Sequence, residues 1–171
     1  MSYAIGTTRI SFENLFNTRV MRRNLEPKEG IALLESNYIG QLAYIAGVSP
    51  HMVPITYYYD KATHTITSYS SVGHKLVAMR KNPSIALGVS EITSVANWRS
   101  VLVHGTFEEL QGIDAKHMLR EFSEGIKSIL KRTKGKEVKY ISEFSAKIEA
   151  EKTPVVFRIK INEITGKSRE S

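Results

Sequence analysis

The sequence predicts a mainly β protein of the α+β class, an antiparallel barrel of six strands with flanking helices. Six segments carry the alternation of apolar and polar residues that is typical of strands. Most neighbouring segments are joined by short turns, and only residues 60–64 separate the predicted strands 52–59 and 65–71. Because parallel strands need long crossover connections, this spacing disfavours a doubly wound parallel sheet.

The six predicted strands are bounded by turn-forming residues. Gly47 and Pro50 end the first strand, and the second strand places an aromatic or aliphatic side chain at every other position. The closing strand alternates in the same way, starting from Val155. The strands are predicted at residues 38–46, 52–59, 65–71, 84–91, 98–110 and 155–162.

The predicted helices have recognisable ends or apolar faces. Pro27 suits the first turn of a helix of about ten residues that Asn37 ends. A second short helix is predicted at 73–81, before a proline. A third begins at Asp114, and a weak fourth is expected around Ile141, Phe144 and Ile148. The third carries an apolar stripe that requires a sheet to cover: Met118, Leu119, Phe122, Ile126, Ile129 and Leu130.

Length and composition predict one globular domain at 25–171, preceded by a tail at 1–24. The chain contains no cysteine, which excludes disulfides, thiolate metal sites and cysteine nucleophiles. Redox chemistry would therefore require a bound cofactor. Residues 1–24 lack the apolar run of a signal peptide, and the longest uncharged stretch, 36–59, contains two prolines. We expect a cytoplasmic protein without a membrane partner.

The net charge of +7 suggests an anionic ligand, such as nucleic acid, an acidic membrane surface or a phosphorylated small molecule. Six of the lysines and arginines fall within residues 127–139, where the simplest interpretation is a solvated helix face and loop. A basic barrel that binds nucleic acid is an alternative, but the sequence lacks the interleaved aromatic residues of single-strand binders. We therefore expect no nucleic-acid partner.

The segment 69–75 joins the end of a strand to the beginning of a helix. Its two serine hydroxyls, a glycine and Lys75 are the groups that, with helix N-terminal N–H groups, satisfy the oxygens of a phosphate. The alternative is structural, with Ser70 or Ser71 capping the helix and Lys75 solvated. The pattern alone leaves both interpretations open.

Two further segments are candidates for ligand contact. Trp98, the only tryptophan, precedes Arg99, and the pair could line a planar ligand. The structural alternative is a tryptophan that packs over the barrel end. Pro54 interrupts an alternating strand, so it predicts an edge strand whose neighbouring backbone groups are available to a ligand.

Several common sites are absent from the sequence. The five histidines do not have the spacing of a metal site, so we predict no metal. There is no G-x-S-x-G motif for a serine nucleophile. The G-x-G-x-x-G and P-loop motifs are also missing, which excludes those modes of nucleotide binding.

The order of the motifs resembles the pyridoxamine 5'-phosphate oxidase-like, FMN-binding split-barrel superfamily, and within it the nitroimidazole-resistance branch. The match runs from Arg22 to Lys167. The resemblance implies a split barrel that forms a homodimer, with two flavin sites between the subunits. The segments that carry it are 39–43, 50–57, 69–76, 99–105 and 164–167.

The resemblance also implies which residues contact FMN. Tyr69 stands where many relatives in the resistance branch have a histidine beside the flavin, so Tyr69 and His51 are the candidate catalytic residues. The backbone at Val53, Pro54, Ile55, Thr56 and Tyr57 would face the isoalloxazine edge. The phosphate cradle would consist of Ser70, Ser71, Gly73, His74 and Lys75, and the flavin would be bordered by Trp98, Arg99 and Ser100.

The function that this resemblance implies is an FMN-dependent oxidoreductase. Reduced flavin would pass electrons or hydride to a small acceptor, such as a nitroaromatic, a nitroimidazole or a quinone. The chain lacks the C-terminal arginine motif that pyridoxamine-phosphate oxidases use for their substrate, so oxidation of vitamin B6 is not expected. The alternative is a split-barrel protein that binds or senses flavin or heme without catalysis.

Overall fold

The structure is a computed structural model that describes residues 21–134 and 154–170. These two ranges form eight strands and three helices. The strands are β1 (Met21–Asn24), β2 (Ile39–Ala46), β3 (Ser49–Thr56), β4 (Tyr58–Asp60), β5 (Thr65–Ser70), β6 (Ser84–Ser94), β7 (Asn97–Glu109) and β8 (Val155–Glu170). The helices are α1 (Pro27–Ser36), α2 (His74–Lys81) and α3 (Gly112–Lys134).

The strands form one antiparallel sheet that curls into a barrel. Their order is β3-β2-β6-β7-β8-β5-β4, and β1 pairs with the end of β8. The outermost strands β3 and β4 follow each other in the chain, separated only by Tyr57. The chain itself therefore joins the two edges of the sheet. This arrangement confirms the predicted antiparallel split barrel with flanking helices.

The predicted count of six strands is wrong, in part because the run 52–59 is two strands. β3 pairs with β2, whereas β4 pairs with β5. The change of partner occurs at Tyr57, whose backbone N–H donates to the carbonyl of Tyr38 at 2.8 Å. The side-chain alternation continues through this point, so periodicity could not locate the break.

The closing strand is longer than predicted and has a further partner. It was expected to end at residue 162, but β8 continues to Glu170 because this half pairs with both β7 and β1. The residues of β1 lie in the segment expected to be a tail; residues 1–20 lie outside the described ranges. The second half of β8 is polar and contains Gly166, so it gave no strand signal.

The hydrophobic core fills the barrel and is closed by two helices. Leu33 and Leu34 of α1 and Leu76 and Met79 of α2 are fully buried against the strands. A second cluster forms where α3 covers the outside of the sheet, through Phe122, Ile126 and Leu130. Burial of each such side chain stabilises the fold by about 1.5–3 kcal/mol before the cost of ordering the chain.

α3 starts at Gly112, two residues before the predicted Asp114, and its apolar stripe faces the sheet as expected. The weak helix predicted around Ile141 lies outside the described residues. Within the described ranges, every helix is too short or too polar to cross a lipid bilayer.

Candidate functional site

A pocket of about 300 Å³ lies where β5 ends, beside β3. We call it the cradle pocket. It collects residues from three parts of the sequence: the start of β2, the end of β3, and the connection from β5 into α2. Its lining residues are Ile39, Pro54, Ile55, Thr56, Tyr69, Ser70, Ser71 and Lys75.

The connection from β5 to α2 places a glycine, and not a serine, at the N-cap position of the helix. The N-cap of α2 is Gly73, in an extended conformation and without a side chain that could occupy the helix N-terminus. The hydroxyl of Ser70 donates to the carbonyl of Ser71 at 2.9 Å. Gly73, and neither Ser70 nor Ser71, is therefore the N-cap residue of α2.

The β3 side of the pocket has only some of its backbone groups available. β3 is an outermost strand of the sheet, which explains how Pro54 is tolerated within it. The carbonyl of Thr56 accepts a hydrogen bond from the hydroxyl of Ser68 at 2.7 Å, and the N–H of Tyr57 donates to the carbonyl of Tyr38. The residues Pro54, Ile55 and Thr56 line the pocket.

Val53 and Tyr57 contribute to the core rather than to the pocket lining. Val53 is half-buried and packs against the barrel interior. Tyr57 is fully buried, and its hydroxyl donates to the carbonyl of Leu34 in α1 at 3.0 Å. Burial raises the pKa of Tyr57, so this phenol stays protonated at neutral pH. Tyr57 thus anchors α1 to the barrel.

Tyr69 lines the cradle pocket and also contacts α3. Its ring packs edge-on against Phe122, with ring centroids 5.3 Å apart and planes at 78°. Phe122 is fully buried, so the position of this tyrosine depends on how α3 is seated. Of the two candidate catalytic residues, only Tyr69 lines this pocket.

His51 and His74 come together in a neighbouring cavity of about 400 Å³, which we call the histidine pocket. Their ring centroids are 5.1 Å apart, and His51 also stacks on Tyr44 at 5.5 Å. The Tyr44 hydroxyl lies 3.4 Å from Nδ1 of His74. The lining contains His51, His74 and Lys81 but no carboxylate among the described residues; it is completed by Ala46, Gly47, Ser49, Val77 and Ala78.

The start of α2 therefore separates two cationic pockets. His74 and Lys75 are consecutive, yet His74 lines the histidine pocket and Lys75 lines the cradle pocket. Successive residues of a helix point about 100° apart, which accounts for the division. Gly73 lies between the two, as the N-cap.

Trp98 and Ser100 line a third cavity, of about 300 Å³, on the outer face of β7 and β8. We call it the tryptophan pocket. It is separate from the cradle pocket within this one chain. Its lining residues are Trp98, Ser100, Leu102, Thr165, Gly166 and Lys167.

Arg99 does not share this pocket with Trp98. Consecutive strand residues point to opposite faces, so Arg99 lies towards α1 and pairs with Glu91 at 2.7 Å. Partial burial alone would raise the pKa of Glu91, but hydrogen bonds from Asn37 and Arg99 outweigh it and the pKa is lowered. The two side chains thus do not line one planar ligand site.

Several of these lining residues had no predicted contact role. Ile39 and Lys167 belong to segments that carried the resemblance, but neither had a role. Tyr44 and Lys81 were missed, because they join His51 and His74 only through the packing of α2 on β2. Within the described ranges no three His, Asp or Glu side chains are grouped as a metal site would require.

Comparisons with known proteins agree with this fold. The family described as pyridoxamine 5'-phosphate oxidase matches residues 26–168. An uncharacterized protein from Rhizobium meliloti (strain 1021) is 27% identical over 150 residues, covering 88% of this chain and 94% of that protein.

Solved structures extend the comparison. A FAD-binding protein from Mesorhizobium loti is 29% identical, with a TM-score of 0.69, covering 89% of this chain and 99% of the other. A proposed 5-nitroimidazole antibiotic resistance protein from Bacteroides thetaiotaomicron is 13% identical, with a TM-score of 0.60 and coverage of 87% and 89%. This second likeness supports the fold alone. The motif resemblance to the split-barrel superfamily is confirmed, and with residues 26–168 matched the chain belongs to the pyridoxamine 5'-phosphate oxidase family.

Proposed function

We propose that the protein is a flavoprotein that binds FMN at the cradle pocket and transfers electrons from the reduced flavin to a small acceptor. The observation that carries the proposal is that residues expected to contact a flavin, from separate parts of the sequence, meet in one pocket. Two separate segments, 53–57 and 69–75, were expected to contact a flavin, and both contribute residues to this one pocket. The FAD-binding protein from Mesorhizobium loti, at 29% identity, supports flavin as the class of ligand.

The groups at the start of α2 suit the phosphate of FMN. Ser70 and Ser71 supply hydroxyls, Lys75 supplies a cation, and Gly73 leaves the helix N-terminus uncovered by a cap side chain. Helix N-termini attract anions because their backbone N–H groups and dipole point outward. His74 and its neighbour His51 add donors on the other side of the helix start.

The chemistry of hydride or electron transfer comes from the flavin when it is bound. The chain contributes position and proton supply. Tyr69 at the pocket wall is our candidate for a proton donor to the acceptor, since a phenol carries an O–H donor. His51 lies in the histidine pocket beside Tyr44, so we assign it to anion binding rather than to proton transfer.

We further propose that the protein is a homodimer with its flavin sites between subunits. The outer face of the sheet carries exposed apolar side chains, including Ile39, Met52 and Leu102, which are 55%, 68% and 40% exposed. Ala43 pairs with Met52 on one side and with Ala86 on the other, and these small side chains keep the face flat there. Exposed apolar patches of this kind mark protein interfaces. A partner subunit bound to this face would bring its own Trp98 and Ser100 towards the cleft between the two subunits.

The acceptor class we propose is a nitroaromatic, a nitroimidazole or a quinone, and the compartment is the cytoplasm. The absence of cysteine suits a reducing compartment and leaves electron transfer to the flavin. The alternative, a flavin- or heme-binding protein without catalysis, predicts the same bound pigment or a heme spectrum but no turnover.

The first experiment is to purify the full chain without added cofactor and record its visible spectrum. Mass spectrometry of the released ligand then distinguishes FMN from FAD and heme. We expect a flavin spectrum, the FMN mass, and a dimer in small-angle scattering. A colourless protein that also fails to bind added FMN would contradict the proposal, and a monomer with full flavin occupancy would contradict the shared site.

A further inference from the structure

The tryptophan pocket is a second cavity, and it shares no lining residue with the pocket proposed to bind the phosphate of a flavin. Register places Leu102 opposite Thr165, Ser100 opposite Lys167, and Trp98 opposite Arg169. Residues that pair across two strands share a face of the sheet, with side chains about 5 Å apart. These six side chains therefore lie together on the outer face, and all of them except Arg169 line a cavity of about 300 Å³.

The pocket is apolar on its walls and positive at its rim. Trp98 and Leu102 supply the apolar surface, and the backbone of Gly166 is held from below by Leu25, whose N–H donates to the Gly166 carbonyl at 2.9 Å. A side chain at position 166 would collide with Leu25, with contacts as short as 2.9 Å. The glycine thus fixes the backbone that presents Thr165 and Lys167.

The described part of the chain does not neutralise the positive charge beside Trp98. Within residues 21–134 and 154–170, no carboxylate pairs with Lys167 or Arg169. Arg169 donates from one terminal nitrogen to the carbonyl of Val95 at 3.1 Å. Its Nε is buried without a hydrogen-bond partner in the same ranges. Among the residues that the structure describes, none of those lining the cavity is acidic.

An indole face with adjacent, unneutralised cations fits a planar aromatic molecule that carries a negative charge. The ring can stack on the indole, while a carboxylate forms a charge-assisted hydrogen bond to the ammonium group. We propose that the tryptophan pocket is the acceptor subsite, and that it selects aromatic acceptors bearing a carboxylate through Lys167. This inference rests on the proposed flavin function, because it specifies the acceptor of that reaction, and on the proposed dimer, because the two pockets are separate within one chain.

The pocket contains its own reporter, because Trp98 is the only tryptophan in the chain. The full-length protein, as purified, is titrated with 4-nitrobenzoate and with 4-nitrobenzamide, which is its uncharged counterpart. Quenching of Trp98 fluorescence, corrected for probe absorbance, gives each dissociation constant, and calorimetry provides an independent value. The variants are Lys167→Met and, as a matched control, Lys116→Met, since Lys116 is exposed on α3.

We expect the wild-type protein to bind nitrobenzoate at least about tenfold more tightly than nitrobenzamide. Lys167→Met should abolish the preference, and Lys116→Met should retain it. A Trp98→Leu variant, followed by calorimetry, should weaken binding of both probes. Equal affinity for the two probes in the wild-type protein, or a preference that survives Lys167→Met, would overturn the inference.

The visible spectrum of the same samples separates this inference from the proposed function. A flavin-loaded protein without a preference for nitrobenzoate would overturn the acceptor subsite and leave flavin binding intact. A protein that binds no flavin would remove the proposed reaction and, with it, the assignment of the pocket to an acceptor. The titration would then report only an aromatic-anion site.

Discussion

The cradle pocket and the tryptophan pocket are built in different ways. The first draws four of its residues from the continuous segment 69–75, where a strand ends and a helix begins. The second is assembled from β7 and β8, whose contributing residues are more than sixty positions apart in the sequence. Serine hydroxyls and the start of a helix dominate the cradle pocket. An indole and cations carried by a strand dominate the tryptophan pocket. A local motif can thus be identified from the sequence, whereas a pocket made by strand register cannot.

The two pockets also differ in what supports them. Tyr69 in the cradle pocket rests on Phe122 of α3, while the tryptophan pocket lies on two long paired strands. Changes in α3 should therefore affect the cradle pocket first. Changes in the surface charge of β8 should affect only the tryptophan pocket.

The largest effect is expected from Phe122→Ala, which removes the side chain under Tyr69. Loss of a fully buried phenylalanine costs about 3–5 kcal/mol of unfolding free energy, through lost burial and a residual cavity. Urea unfolding measures this loss. Flavin content should fall as Tyr69 loses its support.

Two measurements keep this prediction specific to the cradle pocket. Leu102→Ala, at a 40% exposed position of the tryptophan pocket, should cost less than about 1 kcal/mol. The milder Phe122→Leu should keep the protein folded while altering the flavin spectrum through Tyr69. If Phe122→Leu left both spectrum and flavin affinity unchanged, the ring contact would have no role at the site.

A second, smaller effect is expected from Lys75→Ala at the helix start. Removing the cation from a charge-assisted phosphate contact should weaken FMN binding by about 1.5–3 kcal/mol, which is roughly one to two factors of ten in the dissociation constant. Flavin fluorescence during titration of the apoprotein gives both constants. Lys116→Ala is the control for net charge, and equal retention of FMN in both variants would contradict the phosphate cradle.

The sequence predicted the order of the elements and the antiparallel barrel because strand alternation and helix ends are local signals. It predicted six strands instead of eight because Tyr57 changes partner without breaking the alternation, and because β1, in the segment expected to be a tail, pairs with the polar end of β8. Neither feature has a signature in composition. Pairing across the sheet, which depends on residues far apart in the chain, determines both.

The same distinction applies to the candidate site. Ser70, Ser71 and Lys75 were grouped by sequence proximity, and they line one pocket. Sequence proximity wrongly grouped His74 with Lys75, because the turn of α2 directs these two side chains into different pockets. It also wrongly grouped Trp98 with Arg99, because consecutive strand residues lie on opposite faces of the sheet. His51 meets His74 only because α2 packs on β2, the strand that pairs with β3. Assigning neighbouring side chains to one site therefore requires the periodicity of the helix or strand that carries them, as well as their separation in the sequence.

The smallest effect concerns the face of β7 opposite Trp98, where Glu91 holds Arg99. The lowered pKa of Glu91 lies below its unfolded value of 4.5, so its charge stabilises the fold above that pH. This contribution is lost as the pH falls below 4.5 and the carboxylate becomes protonated. Because the pair is partly exposed, Glu91→Gln should cost only about 0.2–1 kcal/mol at neutral pH.

Urea unfolding of the wild-type protein and Glu91→Gln at a series of pH values measures this difference, which should shrink towards zero in acid. The same variant should leave nitrobenzoate binding at the tryptophan pocket unchanged, because Arg99 and Trp98 lie on opposite faces of β7. A change in nitrobenzoate affinity of about tenfold would mean that charge on the α1 face reaches the outer pocket. The two faces would then act as one site, and the separation between Trp98 and Arg99 would be wrong.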